Sequence, residues 1–377
     1  MSKQWILGTV LYLMLVVPVW AQQNIISGEV WIDDTGKPVN AHGGGILYDK
    51  GLYYWFGECK SDTTSKAYTG VSCYSSSDLV NWKNEGIVMS VMPEGSYSDI
   101  EAGCTLERPK VVYNEKTGLF VMWFHLELKG QGYAAARAGV AVSDRVVGPY
   151  RFLYSCRPCS GFWPENMEKE LQELTVVPQD YKEWWTSEWM EAVKKGLFTR
   201  RDFAGGQMSR DMTVFVDDDG KAYHIYSSEE NLTLNIAELT DDYQWHTGRY
   251  IRIFPGGHNE APAICKKDGV YYLITSGCTG WTPNEARLFS ASSIWGPWEQ
   301  HSNPCRGENA KLTFYSQSTY ILSVKDKKDA FIFMADRWTP DDLSNSRYVW
   351  LPLLFDEGLP VLKWMDSWSI DFFDRKN

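Results

Sequence analysis

Gly45-Ile-Leu-Tyr-Asp-Lys-Gly-Leu-Tyr-Tyr-Trp-Phe56 is the stretch from which the fold is read. An aliphatic run, a turn with Asp and Gly, and an aromatic run make a hairpin of two short strands. Gly supplies the positive φ of a tight turn, and aromatic and β-branched side chains suit a pleated surface. The same grammar returns at residues 110–124, 213–226, 263–274 and 320–334, each time about a turn of Asn, Asp or Gly. Further strand-like pieces follow, as at residues 70–75, 138–143, 287–291 and 348–353. Four strands per unit, five times over, is the arrangement of a five-bladed β-propeller. The chain therefore reads as all-β, one propeller over residues 22–377 with a partly helical insertion at about 156–207. The insertion holds the helix-like stretches 167–174 and 187–196 and the tryptophans Trp163, Trp184, Trp185 and Trp189. Linkers are poor in aromatics, so this reads as a surface lobe.

Superposing the five hairpins exposes a common position four residues before the first aliphatic or aromatic strand residue. It is His42, Glu107, Asp211, Glu260 and Gln317, and in three copies a turn glycine (Gly51, Gly220, Gly269) follows nine places later. First strands of blades line the central channel, so these five polar residues form a ring at one mouth. Carboxylates gathered there repel one another and raise the pKa of the least solvated. Paired carboxyl groups, one protonated and one not, are what glycoside hydrolysis requires.

The chain has 377 residues and a formal net charge of −11, which argues against nucleic acid or an anionic membrane as partner. Its 18 Trp, 21 Tyr and 16 Phe suit heavy layer packing or stacking on sugar rings. Residues 1–21 carry Lys3, an apolar run from Trp5 to Trp20 and a small residue at Ala21 before a polar turn, the pattern of a cleaved secretory signal. Pro18 and the shortness of the run disfavour a membrane anchor, so a periplasmic or secreted protein is expected, free of the membrane after cleavage. Eight cysteines permit bridges: Cys156 and Cys159 as a local disulfide or plain thiols, and Cys265 with Cys278 across a hairpin. Asp217-Asp-Asp-Gly220 looks like half a calcium loop but lacks the downstream Glu, so it is a hairpin turn. Neither a metal nor a cofactor is expected.

Asn259-Glu260-Ala-Pro262 and the strand beginning Arg210-Asp211-Met-Thr resemble the general-acid and aspartate motifs of glycoside hydrolase family 43. The resemblance spans the mature chain apart from the insertion and implies a five-bladed propeller that hydrolyses with inversion. It implies that Glu260 is the acid and that Asp211 tunes its pKa and orients the sugar. Where most of the family places a general-base Asp, this chain has His42 in Ala41-His-Gly-Gly-Gly45. That stretch, Glu107-Arg-Pro109 and Ser316-Gln-Ser318 are similar to the exo-β-1,3-galactanase branch, which lacks the Asp as well. The branch implies that Gln317 holds the water, that Glu107 supports the same side and that Glu58 contacts a sugar hydroxyl. A neutral amide is a poor base, so the proton acceptor stays open among Gln317, Glu107 and His42.

Further substrate contacts are expected from Glu230 and Asn231, which read equally as a solvated turn. Thr279 and Trp281 follow the fourth hairpin, where the indole would stack on a sugar. Arg337 reads equally as a partner of Asp336. Together these features predict an exo-acting enzyme that releases galactose from β-1,3-linked galactan or arabinogalactan side chains. The alternatives are an α-L-arabinofuranosidase or β-xylosidase of the same family, and a non-catalytic sugar-binding propeller.

Overall fold

Side chains alternate faces along a strand, so a strand buried on both sides feeds two separate cores. In the second strand of blade 1, Tyr53 and Trp55 enter one core, while Tyr54 and Phe56 enter the next. Phe120 and Trp123 divide in the same way, as do Tyr271 and Tyr272. Each of five apolar clusters thus sits between two successive blades. The computed structural model describes residues 23–61 and 64–374. The predicted signal segment lies outside the described residues.

Blade 1 comprises His42–Asp49, Leu52–Cys59, Gly70–Ser76 and Lys83–Ser90. Blade 2 comprises Cys104–Asn114, Leu119–Glu127, Arg137–Ser143 and Arg151–Cys156, with Lys66–Ala67 added at its inner edge. Blade 3 comprises Met212–Val216, Ala222–Ser228, Thr233–Leu239 and His246–Ile253. Blade 4 comprises Glu260–Lys267, Val270–Ser276, Arg287–Ala291 and Glu299–His301. Blade 5 comprises Gln317–Ser323, Phe331–Arg337, Arg347–Asp356 and Leu359–Lys363, with Cys305–Arg306 laid parallel to the last. First strands adjoin in ring order, the fifth returning to the first. Ile25–Ile26 pairs with Ser367–Trp368, clasping the two ends of the ring together.

The insertion carries three short helices, α1 (Lys169–Gln172), α2 (Ser187–Lys194) and α3 (Leu197–Arg201). Trp189, Val193, Leu197 and Phe198 bury a core of their own with Leu232 of blade 3. A buried ion pair anchors it: the Arg252 guanidinium contacts Glu229 at 2.5 and 2.7 Å and donates to the Val193 carbonyl at 3.1 Å. All eight cysteines are free thiols. The expected Cys265–Cys278 bridge does not form, because Cys265 points into the core between blades 4 and 5 while Cys278 lies beyond the hairpin at the channel mouth.

Candidate active site

Three of the ring residues owe their direction to a repeated irregularity. The ladder of the first hairpin slips between His42 and Gly45 in blade 1, between Glu107 and Lys110 in blade 2, and between Glu260 and Ala263 in blade 4. At each slip the residue after the ring position is left-handed: Gly43 (φ 59°), Arg108 (φ 56°) and Ala261 (φ 52°). A non-glycine residue there costs about 1–3 kcal/mol, and such bulges re-aim side chains beside active sites. Glycine is needed at position 43 for a second reason, since a Cβ would strike the Glu58 carboxylate.

Glu58, Glu107, Asp211, Glu230, Asn231, Glu260, Trp281 and Gln317 line one cavity of about 620 Å³. Lys60, buried, ties two of the carboxylates, at 2.5 Å from Glu58 and 3.3 Å from Glu107. Burial opposes ionisation of Glu107, but Lys60, His125 and Arg210 outweigh it and hold its pKa well below the usual carboxylate range. Glu260 goes the other way. Burial first, and then the Asp211 charge, push its pKa up to about 7 against the pull of Arg210 and Arg108. Asn231 donates its amide to Glu260, and the neighbouring Cys278 thiol is kept protonated by burial and by that same carboxylate. Two acids in one cavity are therefore split between an ionised and a protonated role.

Arg108 joins the site's two halves. Its guanidinium reaches Asp211 at 3.0 Å, the Gln317 side-chain oxygen at 2.6 Å and the Ser318 carbonyl at 2.9 Å. Gln317 also accepts from the Trp338 indole at 3.1 Å and donates to Ser276 at 2.9 Å. Guanidinium and indole are donors only, which fixes the amide with its oxygen toward them and its NH₂ toward Ser276. Glu107, His125 and Asp211 offer ligand atoms within 4.8 Å of one another, the spacing of a metal site. Lys60 and Arg108 already neutralise those carboxylates, so the donor set is occupied by the protein's own cations.

Three residues expected at the substrate lie elsewhere. His42 is fully buried behind the ring, stacked on Tyr348 at 5.1 Å and 3.4 Å from Asp336; the bulge turns it into the wall. Thr279 holds the Trp281 loop by donating to the Thr282 carbonyl at 2.6 Å. Arg337 faces a separate hollow, stacks on Trp364 at 5.2 Å and donates to the Phe314 carbonyl at 2.8 Å. Glu230 lines the cavity but is ion-paired at 2.6 Å with Arg201 of the insertion. The sequence assigns no site role to Arg108, Tyr133, His258 and Trp338, and it places Trp184 and Trp185 in a surface lobe without a role; all six line the cavity. Arg108 was signalled by its place beside Glu107, and Trp338 by its place at the end of the fifth hairpin.

Residues 183–346 match the sequence profile of glycosyl hydrolases family 43. A solved family-43 β-1,3-galactosidase in complex with galactodeoxynojirimycin is 61% identical, with TM-score 0.90, covering 92% of this chain and 100% of that one. An exo-β-1,3-galactanase from Phanerochaete chrysosporium, solved with galactose, is 34% identical at TM-score 0.74, covering 92% of this chain and 68% of that one. Among curated proteins, a xylan 1,3-β-xylosidase of Vibrio sp. is 20% identical over 331 residues, covering 81% of this chain. The chain spans about half the length of the curated relatives it matches, 52% and 46%.

Proposed function

Because the chain belongs to glycosyl hydrolases family 43, we propose that it removes terminal galactose from β-1,3-linked galactan or arabinogalactan side chains with inversion at the anomeric carbon. The observation that carries this reading is the divided acidity of the cavity: Glu260 half-protonated near neutrality, Glu107 ionised. The galactosidase and galactanase activities of the similar structures support the choice of sugar. The signal-like residues 1–21 support a periplasmic or secreted enzyme.

In this reading Glu260 gives its proton to the glycosidic oxygen as the bond from that oxygen to the anomeric carbon breaks. The shortened galactan leaves as an alcohol. Water attacks the anomeric carbon from the opposite face, and its proton passes to a carboxylate. His42 is sealed from the cavity and therefore cannot receive it. The Gln317 oxygen already accepts two hydrogen bonds, so the amide orients the water through N–H, and Glu107, a weak base because Lys60 holds it ionised, takes the proton as the attacking water becomes strongly acidic on bonding to carbon. Asp211, paired with Arg108, sets its charge beside Glu260 and so favours the protonated acid until its proton is needed.

Proton NMR of a β-1,3-galactobiose digest tests the reading. Early α-galactose is the expected product. Binding without turnover, or turnover confined to aryl arabinofuranosides or xylosides, would overturn it. Glu260→Gln should lower kcat by about 10²–10⁴-fold and leave disaccharide binding intact.

A further inference from the structure

The insertion reaches the catalytic cavity through Trp184 and Trp185, which line it together with His258 and Glu260. The two indoles are not equivalent. Trp184 stacks face to face on Trp189 inside the lobe, with centroids 5.2 Å apart and planes 25° apart. Trp185 meets the Trp189 ring at 5.0 Å and 53° and lays one face on the His258 imidazole at 5.2 Å and 24°, yet it is 62% exposed. Both members of that stack are left-handed, Trp185 at φ 72° and His258 at φ 55°. Non-glycine residues are held in that region only where their surroundings over-determine them. The surroundings are on hand: α2 of the insertion packs Met190 against Gly256, and the Arg287 guanidinium donates to the His258 carbonyl at 2.8 Å. Burial and Arg287 depress the His258 pKa, so a neutral ring backs the indole.

His258 precedes Glu260 by two residues, so the stack stands on the acid's side of the cavity. A general acid protonates the oxygen of the departing group, and the departing sugar must therefore lie on that side. On the strength of the proposed galactanase reading, we infer that the insertion supplies a leaving-group subsite, with the exposed part of the Trp185 indole as the platform for the departing β-1,3-linked galactose. A flat apolar indole against the C–H face of a pyranose is the chemistry this requires. Trp185 is thus a specificity-determining residue contributed from outside the propeller.

The test compares two substrates that share a glycone and differ in the leaving group. β-1,3-Galactobiose releases a sugar ring, whereas β-galactosyl fluoride releases fluoride, which has no face to stack. Trp185→Ala should lower kcat/KM for galactobiose about 3- to 10-fold more than for the fluoride, chiefly through KM, and Trp185→Phe should restore most of the difference. An equal loss on both substrates would make the residue merely structural, and no loss on either would remove it from the subsite; both results overturn the inference while leaving the galactanase reading intact. A wild-type enzyme inactive on both substrates would overturn that reading together with the inference.

Discussion

Glu260 titrates near 7 because it is buried beside an anion, and this gives its pH dependence a definite sign. The acid works only when protonated, so kcat/KM should fall as pH rises through about 7. Asp211→Asn removes the charge that opposes ionisation, which lowers the Glu260 pKa and moves the alkaline limb to lower pH. A pH profile of kcat/KM on galactobiose measures the move, and an unmoved limb would dismiss Asp211 as the tuning group. At this scale the sequence was legible as a shared register: Glu107, Asp211, Glu260 and Gln317 stand at the head of their first strands and come together at the cavity. His42 occupies the same register yet lies behind the wall, because which way a bulge turns depends on tertiary neighbours, here Tyr348 and Asp336. Arg108 was hidden for the same reason, since only the left-handed turn at its own position sends it to the centre.

The insertion was legible in kind from its tryptophans, but its docking was not, because Glu229 and Arg252 read in the sequence as ordinary polar residues of blade 3. Their side chains are 0% and 6% exposed, and the guanidinium also binds the α2 backbone. A buried ion pair contributes little net stability, but removing one partner strands the other charge at a cost of about 3–5 kcal/mol. Arg252→Met should therefore lower the unfolding free energy by that amount, read as a lower denaturation midpoint, and expose residues 156–207 to limited proteolysis. Because Trp185 hangs from the same lobe, galactobiose hydrolysis should weaken in parallel. A variant with wild-type stability and an uncut lobe would show that the pair does not anchor it.

The ring as a whole is closed by packing at the seam between blades 5 and 1. Trp31, from the N-terminal segment, meets Trp350 at 4.8 Å and Trp55 at 5.9 Å, and Trp82 completes the group. Much of the aromatic surplus is spent in this way, between blades, and only a few rings remain at the cavity. Trp31→Ala should cost about 3–5 kcal/mol. The loss would appear in thermal unfolding as one cooperative transition at a lower midpoint, and an unchanged midpoint would place the closure in the terminal clasp alone. The rim bulges have a consequence for the molecule as a modular object. In blades 1, 2 and 4 each slip detaches the rim residue from the pairing below it, so these blades act as a chassis bearing sockets that can be refitted singly. Two of these sockets hold groups that line the cavity, Glu107 and Glu260, and the third, holding His42, has been retired into the masonry.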